Sequence, residues 1–425
     1  MRIQAEAIAI DTLEQPNGCG PLTPPLSSSV KPLRQQVFEA IRAAGSIARV
    51  DVARTVGISP GSVTALTSEL IDAGLIGESG ASQRETEAAR GRPPVALRVR
   101  PEARFVAGIK LSSPTHSAVI VDFAGNRLSQ ASAPRAFARH SSADTIAEAV
   151  RMLDSALEKS GLDRADLAAV GLGIPGFVDT GTGRVSWSPI MADREVPLQA
   201  MVAERLGLNV CIDNDANLLT MAELWFGAGR ALADFAVVTI EHGVGMGLVV
   251  NHEIYRGGGG MGMELGHTKV HLDGALCRCG QRGCLEAYVA DYALVREAST
   301  ALNWPDGTRE PHIVLESLFS QAKAGNAAAR SIFHRAGRYL ALGIANVVTM
   351  FDPGLIILSG ARMRYDYLYA REVMTEIASL SSAAHRAGPR VETHAWGDMV
   401  WAQGAAALAL AAVTDATLGA QGTGR

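Results

Sequence analysis

The sequence predicts an N-terminal winged helix-turn-helix followed by a two-lobed α/β body, on three observations. Between Lys31 and Ile76, short helical periodicities are separated by glycine-containing turns. From Phe105 onward, strand-length apolar runs recur at regular intervals with helical stretches between them. The 425 residues include 44 Gly and are 48% hydrophobic, which suits a soluble α/β chain with many tight turns. This length allows two to three domains and a large core.

Residues 1–30 lack periodicity and end in Pro21-Leu-Thr-Pro24-Pro25-Leu-Ser27-Ser28-Ser29, which reads as a disordered tail with Cys19 as a free thiol. Residues 31–100 form the next module. Leu33, Val37 and Ile41 follow i, i+4 spacing, and Gly45 ends that helix. A second helix fits Arg49 to Val56. Gly57-Ile58-Ser59 makes a turn with Ser59 as N-cap. The third helix runs from about Pro60 to Ala73, with Pro60 in its first turn and Val63, Leu66 and Leu70 inward. Helix, glycine turn and a Ser/Thr-studded helix form a helix-turn-helix signature. The outward residues Ser59, Gly61, Ser62, Thr64, Ala65 and Ser68 are small and mostly polar, so this helix can approach a DNA major groove. An ordinary three-helix cap on an enzyme is the alternative.

The polar stretch Glu78 to Arg90, then Gly91-Arg92-Pro93-Pro94 and the alternating Val95-Ala-Leu97-Arg-Val99, reads as the wing hairpin. Arg92, stiffened by its neighbours, suits a narrow minor groove. A solvated linker with scattered Arg is the alternative.

The body, residues 101–425, opens with Phe105–Ile109 and Ala118–Val121, expected as paired strands turning near Ser113-Pro114. Thr145–Leu157 reads as a helix and Leu167–Gly173 as a buried strand ending in Ile174-Pro175-Gly176. Val196–Leu206 is a helix and Val210–Ile212 a strand. Asp213-Asn214-Asp215-Ala-Asn217 follows at that strand's end, before a helix to Trp225. Phe235–Ile240 is a strand meeting Gly243-x-Gly245-x-Gly247, with a second strand to Val250. Ala327–Met350 is a long apolar helix feeding the strand Leu355–Leu358, and Gly404–Val413 is a small-residue helix. Strands with helices between them and loops at their C-terminal ends imply two lobes around a cleft.

Charge is near balance at −4, so the whole chain is not a polycation. Residues 31–100 hold ten Lys/Arg against seven Asp/Glu, a mildly basic module on an acidic body. No basic-then-apolar leader opens the sequence. The uncharged run Met399 to Thr414 is too short to span a bilayer. Three of the 5 Cys lie within eight residues, which argues for a reducing compartment. A cytoplasmic location without membrane insertion is expected.

Those three cysteines belong to Glu264-Leu-Gly-His267 and Cys277-Arg-Cys279-Gly-Gln-Arg-Gly-Cys284-Leu-Glu286. Cys-x-Cys-x₄-Cys with a nearby His is a Cys₃His set for tetrahedral zinc. A group of free thiols in a Gly-rich loop is the alternative. Four protein ligands leave no open position, so the zinc would be structural and would hold the flanking carboxylates Glu264 and Glu286 in place.

With Asp213-Asn214-Asp215-Ala-Asn217, Gly173-Ile-Pro-Gly176 and the two cysteine-loop motifs, the sequence resembles the ROK family (repressors, open reading frames, kinases) on the actin/hexokinase-like fold. The resemblance covers Lys31 to about Leu418. The winged helix resembles the repressor branch containing the xylose, glucose and N-acetylglucosamine regulators. The resemblance implies that Asn214, Asp215, Glu264 and Glu286 hydrogen-bond sugar hydroxyls, and that His267, Cys277, Cys279 and Cys284 bind zinc. His267 is expected in the sugar-binding set as well. In kinase members the Asp at position 215 is the catalytic base. Clustered carboxylates and amides supply the acceptors a polyol needs. The alternatives are a capped turn for Asp213-Asn214-Asp215 and support of the metal loop for Glu264 and Glu286.

Family kinases carry Asp-x-Gly-Gly-Thr on the first hairpin. Here Lys110-Leu111-Ser112-Ser113-Pro114-Thr115 stands instead, with β-carbons in place of glycines and a proline lacking an N–H. Glu241-His242 precedes the second glycine loop, where a carboxylate repels polyphosphate. Ser359-Gly360-Ala361-Arg362 replaces the Gly-Gly-rich adenosine-side loop. Pro189-Ile190 stands where kinases have Pro-Asn, which leaves the sugar's identity open. The expectation is a regulator without catalysis, with Asp215 a vestigial base. Its partners are operator DNA, a sugar or phosphosugar and a second copy of itself, as dimer or tetramer. A sugar-transport protein in place of the small effector and an ATP-dependent sugar kinase with a fused DNA-binding head are the rivals.

Overall fold

The computed structural model describes residues 8–9, 18–22, 31–79, 95–135, 138–260, 262–302, 311–360, 363, 366, 371–381 and 390–419. The chain divides into two compact units. One comprises residues 13–233, 249–261 and 398–425 and bears the N-terminal head. The other comprises residues 1–12, 234–248 and 262–397 and bears the cysteine loop.

The head begins with the helix Leu33–Ala44, stopped by Gly45 at φ 71°. Its inward stripe is Val37, Phe38 and Ile41, all fully buried. Leu33, the first of the i, i+4 set, is exposed at the helix's first position. The helix Arg49–Val56 ends at Gly57 in the left-handed conformation. Ser59 then caps Pro60–Asp72, its hydroxyl accepting from the Ser62 N–H at 3.1 Å. Val63 and Leu70 point inward as expected. Leu66 is only half-buried, and Thr67 takes the core position. Thr67 is tolerated there because its hydroxyl accepts from Arg49 Nε and donates to the Thr64 carbonyl. The strands Ile76–Ser79 and Ala96–Val99 pair antiparallel, with Ile76 opposite Val99 and Ser79 opposite Ala96. Ile47–Ala48 adds a third strand. This is the hairpin of a winged helix. Residues 80–94, including Arg92, lie outside the described residues.

In the same unit, a five-stranded sheet runs in the order Val210–Asn214, Leu167–Ile174, Phe105–Lys110, Thr115–Asp122, Arg127–Pro134. The first three strands are parallel and the last two join antiparallel. Side chains alternate across this sheet. Ala107, Ile109, Val170 and Leu172 face a core shared with the helices Ser142–Ser160 and Leu198–Leu206. Gly108 and Gly171 face the other way, against Val400–Leu418. That last helix is longer than the expected Gly404–Val413, and alanines and apolar residues bury it nearly all round.

The cysteine-loop unit has its own sheet. Arg390–Ala395, Leu355–Ser359 and Phe235–Ile240 lie side by side in parallel, with Val244–Val250 next. The helix Ala327–Phe351 crosses its core, contributing Phe333, Leu340 and Ile344. The strand Arg127–Pro134 and the hairpin Phe177–Asp179 with Arg184–Trp187 are further elements beyond the expected set.

Residues 18–22 depart from the expectation of an unstructured tail. Cys19 is buried, its N–H donates to the Arg42 carbonyl at 3.1 Å, and Gly20 N–H donates to the Trp225 carbonyl at 2.9 Å. Burial pushes the Cys19 thiol up to about 11. The residues hold because they satisfy carbonyls at two helix ends, which a polar composition does not reveal.

Candidate functional site

Two parallel strands bring Gly173-Ile-Pro-Gly176 beside Asp213-Asn214. Asp213 pairs with Gly173 and Asn214 with Ile174 at the strands' C-terminal ends. Ligand sites in parallel α/β sheets form at such ends. Asn214 caps the helix Asp215–Phe226, its Oδ1 accepting from the Asn217 N–H at 2.8 Å. The capping role weighed for this segment is therefore present at Asn214. Asp213 is buried. Its Oδ1 accepts from the Asn214 N–H and from Asn217 Nδ2, both at 2.8 Å. Its Oδ2 accepts from Arg256 Nε at 3.0 Å and Nη2 at 2.8 Å. Asp215 is half-buried at the first helical position, where the positive end of the helix dipole favours a carboxylate. Its Oδ1 accepts from the Ala216 N–H at 3.0 Å. Arg256 has no counterpart in the sequence expectations. No motif spacing marks it, and only the fold carries it back to Asp213.

The other six expected residues lie in the cysteine-loop unit. Glu264 is half-buried and precedes the single turn Leu265–His267. Glu286 opens the short helix Glu286–Val289. Its Oε2 accepts from the Val244 N–H at 3.3 Å, so the second glycine loop grips this carboxylate. Its Oε1 lies 3.6 Å from Cys277 Sγ and 3.4 Å from the Tyr292 hydroxyl. Glu286 thus touches the cysteine cluster directly.

His267, Cys277, Cys279 and Cys284 bring their donor atoms within 4.8 Å of one another. Cys277 Sγ is 3.7 Å from His267 Nδ1, and Cys279 Sγ is 3.7 Å from Cys284 Sγ. These four residues could hold a metal ion. The loop folds through the Cys277 N–H donating to the Gln281 carbonyl and Leu285 N–H to the Thr268 carbonyl. Gly283 has φ 76°, and a Cβ there would come within 1.7 Å of the His271 carbonyl oxygen. Lys269 Nζ is 2.9 Å from Cys284 Sγ, a bond that holds the ammonium above the usual lysine range. Burial pushes the Cys277 thiol up. Burial, with Cys277 and Glu286 alongside, pushes the Tyr292 hydroxyl well above the usual phenol range. Lys269 and Tyr292 were not among the expected residues. Lys269 stands two residues after His267, a proximity that could have drawn attention to it.

At the kinase-type phosphate positions, Lys110 is buried with Nζ 3.5 Å from the Trp401 ring centroid. Ser112 Oγ donates to the Thr115 carbonyl at 2.9 Å. His242 Nδ1 lies 3.0 Å from the buried Asp291 carboxylate, and Asp291 N–H donates to the Glu241 carbonyl. Ser359 is buried, its hydroxyl donating to the His394 carbonyl at 3.1 Å. In the head, Ser59, Gly61, Ser62, Thr64, Ala65 and Ser68 are all exposed along one helix. Ser59 and Ser62 hydroxyls bond each other at 2.8 Å, and the Thr64 hydroxyl donates to the Pro60 carbonyl.

The model of the ROK family matches residues 106–412. The chain belongs to the ROK family. A winged helix-turn-helix DNA-binding model matches residues 31–76, so this ROK chain is built as a transcriptional regulator. Over 377 residues it is 25% identical to the xylose repressor of Caldicellulosiruptor bescii, spanning 86% of this chain and 92% of that protein. It is 30% identical over 268 residues to the glucokinase of Streptomyces coelicolor, spanning 60% of this chain and 80% of the kinase. In fold it is similar to the crystal structure of a ROK family transcriptional regulator described as a homolog of the Escherichia coli MLC protein. The TM-score is 0.75 at 24% identity, over 91% of this chain and 97% of that one. Among the described residues, no helix is long and apolar enough to cross a membrane.

Proposed function

We propose that this ROK chain is a sugar-responsive transcriptional repressor of carbohydrate uptake or metabolism genes, released from its operator by a sugar or phosphosugar. The observation that carries it is the joining of a winged head to a body that presents Asp215 at a helix N-terminus beside Gly173-Ile-Pro-Gly176. The similarity to a protein named xylose repressor supports the same reading.

Asn214, Asp215, Glu264, His267 and Glu286 are assigned to sugar hydroxyls. The carboxylates accept, and the Asn214 amide donates, which is the mix a polyol needs. Arg256 is added as the group that fixes Asp213 behind this set. The Cys₃His cluster is assigned to zinc. A tetrahedron with Zn–S bonds of about 2.3 Å has sulfur–sulfur edges of about 3.8 Å, and the Cys279–Cys284 separation of 3.7 Å fits it. With four protein donors the ion would supply structural cross-linking of the loop, keeping Glu286 in place through Cys277.

The three kinase-type phosphate segments favour a non-catalytic role. Lys110 is committed to Trp401, and the Asp291 carboxylate stands against His242 at a loop that would have to admit polyphosphate. The rival is an ATP-dependent sugar kinase, favoured by the retained Asp215 and the glucokinase similarity. On DNA, Ser59, Gly61, Ser62, Thr64 and Ser68 are assigned to the major groove and Arg92 to the minor groove or a phosphate. Two heads of a homo-oligomer would take two half-sites.

A thermal-shift panel of sugars and phosphosugars, run with a coupled assay for ADP release, tests the reading. Stabilisation by at least one sugar without turnover is expected. Turnover abolished by Asp215→Asn would establish the kinase instead. Arg92→Ala should weaken operator binding and flatten its salt dependence. If both stay unchanged, the segment is a linker.

A further inference from the structure

The helix that begins at the proposed effector residues ends against the DNA-binding head. Asp215 is its first residue and Trp225 lies in its last turn. Twelve residues at about 1.5 Å each make a rod of about 18 Å. Every residue from Ala216 to Phe226 is buried, so neighbours grip the rod on all sides.

At the far end stands Arg42, in the last turn of the head's first helix. Its guanidinium lies 4.6 Å from the Trp225 ring centroid and 5.4 Å from that of Phe38. Nη1 donates to Thr414 Oγ1 at 2.8 Å. Nε is buried without a hydrogen-bond partner. Among the described residues no carboxylate pairs with this buried cation. Residues 18–22 strap the joint, bonded to the head through Cys19 and to the rod through Gly20. Arg230, just past the rod, donates to the Ala43 carbonyl at 2.5 Å and to the Gly20 carbonyl at 2.9 Å.

A second helix runs beside the rod. A Cβ on Gly404 would come within 1.9 Å of the Leu218 carbonyl oxygen, so the two backbones touch. The far end of that helix supplies Thr414 to Arg42 and Asp415 to Gln35, the latter at 2.6 Å. Both helices therefore deliver side chains to the same turn of the head.

We propose that Arg42 is the coupling residue of this regulator, and that the helix Asp215–Phe226 conveys the state of its first turn to Arg42 through Trp225. The proposal rests on the reading of Asn214 and Asp215 as effector residues. Within this joint Arg42 is a cation held across it by one ring face, that of Trp225, and one neutral acceptor, Thr414, while Phe38 stacks on it from the head's own helix. Ring contacts weaken as the rings move, whereas a buried carboxylate partner would lock the joint. A ligand that binds one setting of the rod better than another thereby changes the population of DNA-competent heads.

The test uses the full chain with Arg42→Met and Trp225→Phe, both of which preserve apolar packing. Titration with D-xylose, D-glucose and their phosphates measures the effector arm. A duplex selected from a random library measures the DNA arm. The wild-type ratio of DNA Kd with and without sugar should lie between about 5 and 150. Both variants should bind sugar within about twofold of wild type and lose at least about fivefold of that ratio. Retention of the full ratio by both variants overturns the coupling role and leaves the effector assignment standing. Binding of none of these sugars by the wild-type protein removes the effector assignment and this inference with it. If one variant loses native circular dichroism, the other decides.

Discussion

Two segments carry the residues assigned to the effector, and they are made rigid in opposite ways. Asp213–Asn217 is a strand running into a helix, and regular structure fixes it. The sheet holds Asp213 and Asn214, and the Asn214 cap and the Asp213–Asn217 bond fix the first turn. Glu264–Glu286 holds the single turn Leu265–His267 and two isolated antiparallel bridges, Lys269 with Cys284 and Leu276 with Arg282, with backbone bonds between them. The Cys₃His donors are the set able to tie these pieces together through side chains. The first segment can be damaged only locally. A metal bound by its four donors would tie the second together at a single point.

Cys279→Ser, or a chelator, should have the largest effect. Bound metal measured by atomic emission should fall from one per chain to none. Structural zinc sites contribute up to about 10–16 kcal/mol in apparent binding free energy, so hydrogen exchange across the loop should accelerate strongly. Exchange at Asp213–Asn217 should stay slow. Equal acceleration in both segments would break the contrast, and unchanged metal content would remove the ligand assignment.

Arg256→Met should be the largest local lesion in the first segment. It leaves the buried Asp213 with only the Asn214 N–H and the Asn217 amide, a loss of about 1–3 kcal/mol in denaturant unfolding. Metal content should not change. Glu286→Gln comes next. It keeps the shape but removes a charged acceptor, and sugar affinity should fall about tenfold, equivalent to about 1.4 kcal/mol. An unaltered affinity would confine Glu286 to supporting the cysteine loop. Ser59→Ala should be smallest, about 1 kcal/mol from the lost N-cap, with weaker operator binding and no change in either effector segment.

The same contrast explains what could be read in the sequence. The cysteine loop was legible because metal donors are rare residues at short spacing, and spacing survives whatever the chain does between them. The head was legible because glycine turns, the Ser59-Pro60 cap and the apolar stripe are local. The polar roles at Asp213–Asn217 were only partly legible. Capping was weighed, but Arg256 reaches Asp213 from 43 residues away. The joint at Arg42 was illegible for the same reason, since Trp225, Thr414 and residues 18–22 meet there only in the fold. A polar, proline-rich leader gave no sign that Cys19 would be buried.

The most direct test of the central claim is the operator-duplex Kd measured with and without sugars and phosphosugars, for the wild-type chain and Asp215→Asn. A shift of about fivefold or more with at least one sugar, lost in Asp215→Asn while sugar-free DNA binding persists, is the predicted result. Operator binding that no sugar alters, or that the same sugar alters equally in Asp215→Asn, would contradict it.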